Sequence, residues 1–570
     1  MYLRETRRRN ANGTEVAYLA LAHNERDPDT GMPKAKIIHN FGRADLVDRE
    51  GLARLVRSIS RFLDPADAVA ATASGEVRIV DARPMGASYL ADALWRRIGI
   101  ADAIARVAAT RRVDPSLVER VLFAMVANRL SVQPLSKLAG CTWVARRVYV
   151  DGLATLSDDH CYRAMDFLLA ALPELQEQIF FSVANLLNLE LDVLFFDTSS
   201  TYFELDRLDD ELTDDAEDND DGDHDLEESG VRAWSKHSKD HRPDLPQVVL
   251  GMAVTKEGIP VRCWTFEGTT SDQVIIRKVK DDLGAWGLHR VIWCLDRGFN
   301  SDENRRYLQR AGGHYIVGER LRSGSSDARS ALQRAGRYQV IAGNLKVKEV
   351  YVNAERFVLC HNPEQATRDA LVRARIVAYL EERIAQSDQL SADKRHELYG
   401  ALCTKPGLRR FLRLTKDAKL RVDKAVVARE AHFDGKFLLR SSDERLSAEE
   451  IALGYKSLYE AERGWRDLKS TIDLRPVFHR REDRIRAHVQ LCWLALLLAR
   501  VAEVGAKDTW RNLRDELERL HLVTMETSEG TVSQRSELTP TQRSILAALK
   551  VAEPARFYDF IPAPEFGEAR

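Results

Sequence analysis

The sequence predicts an α/β catalytic core, split by a large insertion and preceded by a helical region. Three observations carry this. Between Leu191 and Val317 lie five short apolar runs (191–196, 248–254, 261–266, 290–295 and 315–317) set apart by turn residues, with an amphipathic stretch over 272–286. That is three antiparallel strands, a helix, then a strand–helix–strand unit. Two of the runs end in aspartate, Asp197 and Asp296. More than a hundred residues then separate the fifth run from Ser447-Ala448-Glu449-Glu450, a capping box that announces a helix bearing Glu462. A block of that size is an insertion rather than a loop.

Each region follows from its pattern. Over the first 45 residues, alternation at 15–21 and 35–38 around Asp27-Pro28-Asp29-Thr30-Gly31 predicts a β-hairpin. A helix is expected over 46–63, and Pro65 with the Ala/Ser/Gly stretch to Gly75 reads as a linker, so 1–75 forms a first region. Helical periodicity then predicts helices near 87–107, 114–129 and 158–188, with a further start at Pro134–Leu138, making 76–190 a helical domain; DNA binding or dimerisation is the role expected of it. The core's first part spans 191–320, with Ser301 as a helix cap. The insertion spans 321–446, with strands near 337–361, helices near 364–388 and 393–404, and Asp434-Gly435 as a type I′ hairpin signal between 425–427 and 437–439. The core's second part is 447–505, its helix ending before Pro476 with Gly454 a candidate break. Residues 506–570 read as short helices.

Composition sets limits. The chain has 570 residues, too many for one core, and 44% hydrophobic residues, as in an ordinary globular protein. The formal charge of −2 hides an asymmetry: residues 206–228 hold 14 Asp or Glu and one Arg. Removing that tract's −13 leaves +11 for the remainder, which permits phosphate binding. The tract itself is expected to be disordered. Seven dispersed cysteines without a CxxC pair read as reduced core residues. The apolar stretch 489–498 is too short to span a bilayer and reads as a core helix, and no apolar segment follows the basic N-terminus, so no membrane partner and a cytoplasmic location are expected.

Three carboxylates carry the chemistry. Asp197, Asp296 and Glu462 are hard oxygen donors of the kind Mg²⁺ prefers, and phosphodiester chemistry uses cations held this way. Each aspartate alone is equally a turn residue; the set of three argues for a site. Tyr455 and Lys469 stand seven residues either side of Glu462, so on a continuous helix all three share a face. Lys469 would neutralise phosphate and Tyr455 donate a hydrogen bond. Trp465 can stack on an unpaired base or pack in the helix core. His237 and His241 have metal-ligand spacing, but without a Glu after the first the protease motif fails; Lys239, Arg242 and Pro243 suit equally a loop beside DNA and a structural hairpin return. Arg297 and Arg466 are further phosphate-contact candidates, and Arg146 and Arg147 read first as a solvated helix face.

The segments FFDTSSTYFE (195–204), LDRGFNS (295–301) and YKSLYEAERGWRDLK (455–469) resemble the catalytic segments of bacterial DDE transposases. More narrowly they are similar to the insertion-sequence-four superfamily and its Y-x-x-R-x-x-x-E-x(6)-K signature, onto which Tyr455, Glu462 and Lys469 fall. Leu458 stands at the signature's Arg. HSKDHRPDLPQ (237–247) and RIRAH (484–488) are also similar to this group, and the resemblance covers roughly 191–320 and 447–500. It implies a ribonuclease H-like core with a mixed five-stranded sheet and a β-containing insertion that grips DNA. It further implies cut-and-paste transposition, in which two Mg²⁺ (or Mn²⁺) at Asp197, Asp296 and Glu462 serve end cleavage and strand transfer. Terminal inverted-repeat DNA, target DNA and a homodimer in a synaptic complex are the implied partners, with DNA contacts at Tyr455, Lys469, Arg466, Trp465, Arg297, His237, Lys239 and Arg242. The alternatives are a metal-dependent nuclease without strand transfer and a non-catalytic DNA binder derived from a transposase.

Overall fold

The structure is a computed structural model. It describes residues 2–9, 15–26, 32–48, 51–52, 55, 77–189, 191–203, 232–233, 242, 244–475, 477, 479, 481–527 and 530–562. The helix expected at 46–63, the linker, the acidic tract, His237, Lys239, His241 and Pro476 lie wholly or mostly outside these residues. The chain forms two compact units, Met1–Ala82 with Leu522–Ser536 and Ala555–Arg570, and Arg83–His521 with Glu537–Pro554.

In the smaller unit, β1 (Tyr2–Arg9), β2 (Glu15–Arg26) and β3 (Pro33–Arg43) form an antiparallel meander, Tyr2 facing Ala22 and Arg9 facing Glu15. The expected hairpin is therefore three-stranded. The first strand escapes a search for alternation because it is an edge strand exposed on both faces and rich in arginine. A second sheet joins β4 (Arg78–Pro84) to strands His521–Thr527, Gly530–Arg535 and Phe557–Pro562. The C-terminal region is thus not purely helical; its Thr- and Val-containing runs pair as strands.

The larger unit begins with α1 (Gly86–Arg97), α2 (Ile100–Thr110), α3 (Pro115–Leu130), α4 (Lys137–Arg146) and α5 (Asp158–Leu187). The run at 87–107 is two helices, because Gly99 takes φ +78, a left-handed conformation that closes α1. Asp114 and Ser136 cap α3 and α4 by accepting from their first-turn N–H groups.

The central sheet comprises β5 (Val193–Tyr202), β6 (Gln247–Val254), β7 (Pro260–Glu267), β8 (Ile292–Leu295), β9 (His314–Gly318), β10 (Gln339–Ala342), β11 (Leu345–Val352), β12 (Glu355–His361) and β15 (Lys436–Ser441). Its order is β10-β11-β12-β15-β9-β8-β5-β6-β7. Within it, β7-β6-β5 are antiparallel and β5-β8-β9 parallel, as the strand–helix order predicts. The sheet has nine strands, not five: β15 pairs with β9 and brings three more strands from the 321–446 block, covering what would be an open edge. Arg440 on β15 pairs with Glu319 at 2.7 Å beside that junction.

One face of the sheet packs Phe196, Trp264, Trp293, Leu295 and Val317 against α5, α6 (Asp272–Gly284) and α7 (Asp302–Leu308). Burying each such side chain contributes about 1.5–3 kcal/mol. Beyond this, the insertion holds α8 (Ser326–Gln333), α9 (Pro363–Ile384), α10 (Ala392–Cys403), the short pair β13 (Leu412–Leu414) and β14 (Leu420–Val422), and α11 (Lys424–Ala431). The 425–427 run expected as a strand is in α11. Asp423 caps it by accepting from Ala425 and Val426 N–H, so Asp434-Gly435, with Gly435 at φ +63, turns from a helix into β15 instead of closing a hairpin.

The glutamate helix is two helices, α12 (Ala448–Lys456) and α13 (Tyr459–Ser470), the first carrying the expected capping box. Between them Leu458 N–H bonds to Tyr455 O and Glu460 N–H to Ser457 O, three-residue spacings that tighten the turn. Next, α14 (Glu482–Ala506) is buried on almost every side from Ile485 to Ala502, packed by α1, α3, α5 and β7. At 25 residues it is long and apolar enough to cross a membrane, contrary to the shorter run read from sequence, but its apolar surface faces the protein interior. All seven cysteines are free, five of them buried.

Candidate active site

In the parallel β5–β8 ladder Phe196 pairs with Leu295, so the next residues, Asp197 and Asp296, are neighbours across strands about 4.8 Å apart. Asp296 keeps extended backbone at φ −71 and ψ 164. Phe196 and Leu295 belong to the core face, hence both aspartates project from the opposite face. Contrary to the sequence expectation, β5 does not end at Asp197; it continues to Tyr202 on its antiparallel pairing with β6, and only the parallel pairing stops there.

The same face carries the glutamate helix. Met252 is the cross-strand partner of Asp197, and a Cβ on Gly464 would lie 2.5 Å from Met252 Cε. That glycine lets α13 seat closely on the strand. The buried stripe of α13 is Ala461, Gly464, Trp465 and Leu468. On one edge of it, Glu460 lies against Gly258 in the β6–β7 turn and Asp467 pairs with Arg500 of α14. Glu462 and Lys469 occupy the other edge by helical spacing, the edge turned toward β5 and β8. Asp197 and Asp296 are half-buried and Glu462 is exposed. Among the described residues no three acidic, His or Cys side chains are grouped to hold a metal ion. The structure brings the two aspartates together; Glu462 is exposed on the helix packed over the same sheet face and is not grouped with them.

Tyr455 is placed differently from its expected role. Because the helix breaks at 457–458, it does not share a face with Glu462 and Lys469. Its hydroxyl donates to Asp296 Oδ1 at 3.3 Å, its ring stacks on Phe437 at 6.1 Å, and burial, then the Asp296 charge, pushes its pKa up. A Cβ on Gly318 would lie 2.5 Å from that hydroxyl, so this glycine at the end of β9 makes room for it. Leu458, at the signature's Arg position, is buried at 7% exposure in the turn between the helices. Trp465 is 5% exposed, so base stacking is not open to it in this conformation.

Arg297 is exposed and lines a cavity of about 290 Å³ with Asp296, Tyr455, Arg322 and Lys436. Arg466 bonds to Tyr459 OH, and Arg242 pairs with Asp244 while lying over Tyr202. Sequence reading missed the support around the aspartates: Thr198 Oγ1 donates to Asp272 Oδ1 at 2.6 Å, and Asn300 Nδ2 donates to Gly318 O. The threonine beside a strand-end aspartate was the available signal.

With this geometry in view, the comparisons define a class. Residues 223–498 match the family model described as transposase DDE domain, a span that includes Asp296 and Glu462. Residues 3–71 match the IS1634 family transposase, N-terminal domain. Together they support a DDE-type insertion-sequence transposase; they carry nothing of the insertion-sequence-four signature. No curated protein matches the chain. Among solved structures, a similar chain is that of the piggyBac transposase synaptic complex with hairpin DNA, at 10% identity and TM-score 0.36, covering 76% of this chain and 79% of that one.

Proposed function

We propose that this protein cleaves DNA at transposon ends and joins the freed ends to target DNA, using Asp197, Asp296 and Glu462 on a ribonuclease H-like core. The observation that carries the reading is the pair of aspartates side by side on β5 and β8, with the helix of Glu462 seated through Gly464 on Asp197's partner Met252. Three carboxylates are an all-oxygen donor set, which fits Mg²⁺ or Mn²⁺ in chemistry. Such cations, when bound, supply Lewis-acid stabilisation and a more acidic water or 3′-hydroxyl.

The side chains divide the remaining work. Asp197 and Asp296 present fixed oxygens from rigid strands, and Tyr455 orients Asp296 through its hydroxyl. Glu462, exposed on the helix packed over the same sheet face, would supply the third carboxylate of the set. Lys469 on the same edge, and Arg297 beside Asp296, neutralise backbone phosphates. Terminal inverted repeats, a homodimeric synaptic complex and insertion-sequence-four membership belong to the same reading.

The test is cleavage of element-end DNA with Mg²⁺ by the wild type and by Asp197→Ala, Asp296→Ala and Glu462→Ala. Loss in all three with end binding retained supports the site; a variant that still cleaves removes that residue from it. A joined donor–target product separates transposase from a nuclease sharing the same carboxylates.

A further inference from the structure

Near the start of α14 a cavity of about 160 Å³ is walled by Arg129 of α3, Lys137 of α4, Tyr162 of α5, Asp473 and His479 of the segment after α13, and His488 of α14. A water needs roughly 10–15 Å³ of such volume, so a tetrahedral oxyanion fits. Its cations have no carboxylate partner among the described residues. Lys137 Nζ donates to His488 Nδ1 at 2.6 Å, and His488 Nε2 in turn faces Leu474 O at 3.3 Å, which fixes that imidazole as neutral. A lysine has three N–H donors, so two remain for the cavity. Arg129 bonds only to Asn128 Oδ1 and to the carbonyls of Asp473 and Leu135. Asp473 is the acid on the wall; burial raises its pKa while the charges of Arg129 and Arg475 lower it, so it offsets part of the positive charge there. Burial and Arg129 together press the Lys137 ammonium down to about 7. Buried charges are ordinarily paired; here Lys137 has no ion-pair partner among the described residues, and Asp473 is one acid facing two cations.

We propose that this cavity is an oxyanion pocket that seats one backbone phosphate of bound DNA, with Lys137 donating to the phosphate oxygens and Arg129 supplying fixed positive charge. The nucleic-acid assignment rests on the transposase reading and on a link to the site. Arg475, two residues beyond Asp473, lies over the Tyr202 ring at 5.0 Å, as does Arg242 from the other side of the sequence. Tyr202 is on β5, the strand that carries Asp197. Arg475 therefore joins the segment that walls the pocket to the aspartate strand.

The full-length protein is tested in two assays. In thermal unfolding, inorganic phosphate against chloride at equal ionic strength is expected to raise the wild-type midpoint, to do so little for Lys137→Met, and to recover its effect in Lys137→Arg. In anisotropy titrations with a labelled mixed-sequence duplex, Lys137→Met is expected to make the slope of log K against log salt shallower by about 0.9, the loss of one phosphate contact. An equal phosphate response in wild type and Lys137→Met, or none in either, overturns the pocket. A Lys137-dependent phosphate response with an unchanged DNA slope assigns a free anion and overturns the nucleic-acid part. Neither assay measures cleavage, so a wild type that fails to cut DNA sinks the transposase reading separately.

Discussion

The two ends of α14 both hold buried cations, yet they are built in opposite ways. Near its C-terminal end Arg500, 2% exposed, pairs with Asp467 of α13 at 2.6 Å and with Glu503, which also takes Arg463 at 2.8 Å. Near its N-terminal end Lys137 bonds to the neutral His488 and forms no ion pair among the described residues, while Arg129 bonds to an amide oxygen and two carbonyls, with the Asp473 charge acting on it from the same cavity wall. A closed ion-pair network is a strut: it fixes the Asp467 edge of α13, opposite the edge bearing Glu462, against the apolar helix. An open set of cations leaves its counter-charge to come from outside. The same helix anchors α13 at one end and offers the proposed charge-receiving cavity at the other.

This contrast breaks or sharpens under experiment. The largest effect belongs to neither end: Asp296→Ala should bring end cleavage to background while leaving the unfolding midpoint within a few degrees of wild type, read by gel assay and thermal melt. Residual cutting near the wild-type rate would relocate the reacting centre. Next, Arg500→Met leaves Asp467 and Glu503 without their buried partner and should cost about 3–5 kcal/mol in urea unfolding; a loss under about 1 kcal/mol would class the pair with surface bridges.

By contrast, Lys137→Met in phosphate-free buffer should shift unfolding by no more than about 1 kcal/mol in either direction, because no native ion pair is broken. A large loss there would make Lys137 a strut after all. The smallest effect is one of pH. Burial, then Lys137, holds His479 down to about 4, and burial lowers His488 as well. Both are neutral in the fold and near 6.5 when unfolded, so the unfolded chain binds more protons below that value. Their contribution is complete above about 6.5 and lost as pH falls toward 4. Midpoints measured from pH 7 to 4.5 should drop, and His479→Phe should flatten the decline; an unaltered slope would remove His479 from it.

Much of the core was legible because local pattern and chemistry agreed there. Apolar runs gave β5 to β9 in order, Ser447 and Glu450 gave the start of α12, and two strand-end aspartates marked the neighbouring carboxylates. The failures share a cause. Residues 425–427 are apolar enough for either state, and only the Asp423 cap and the turn at Gly435 select helix. The exposed β1 leaves no alternation to read, and the turn at Leu458 is tightened by bonds that no side-chain periodicity records.

By itself the sequence determined which residues could ligate, which stretches of the β5–β9 core were strands or helices, and where acidic charge was concentrated, since these depend on side-chain type and near-neighbour spacing. Only the tertiary structure decided that the insertion's strands extend the central sheet, that Tyr455 bonds to Asp296, and that Lys137, Arg129 and His488 face one cavity with Asp473 on its wall. The physical reason is separation along the chain. Hydrogen-bonded ladders and desolvated charges are set by partners up to hundreds of residues away, and nothing local in the polymer encodes who those partners are.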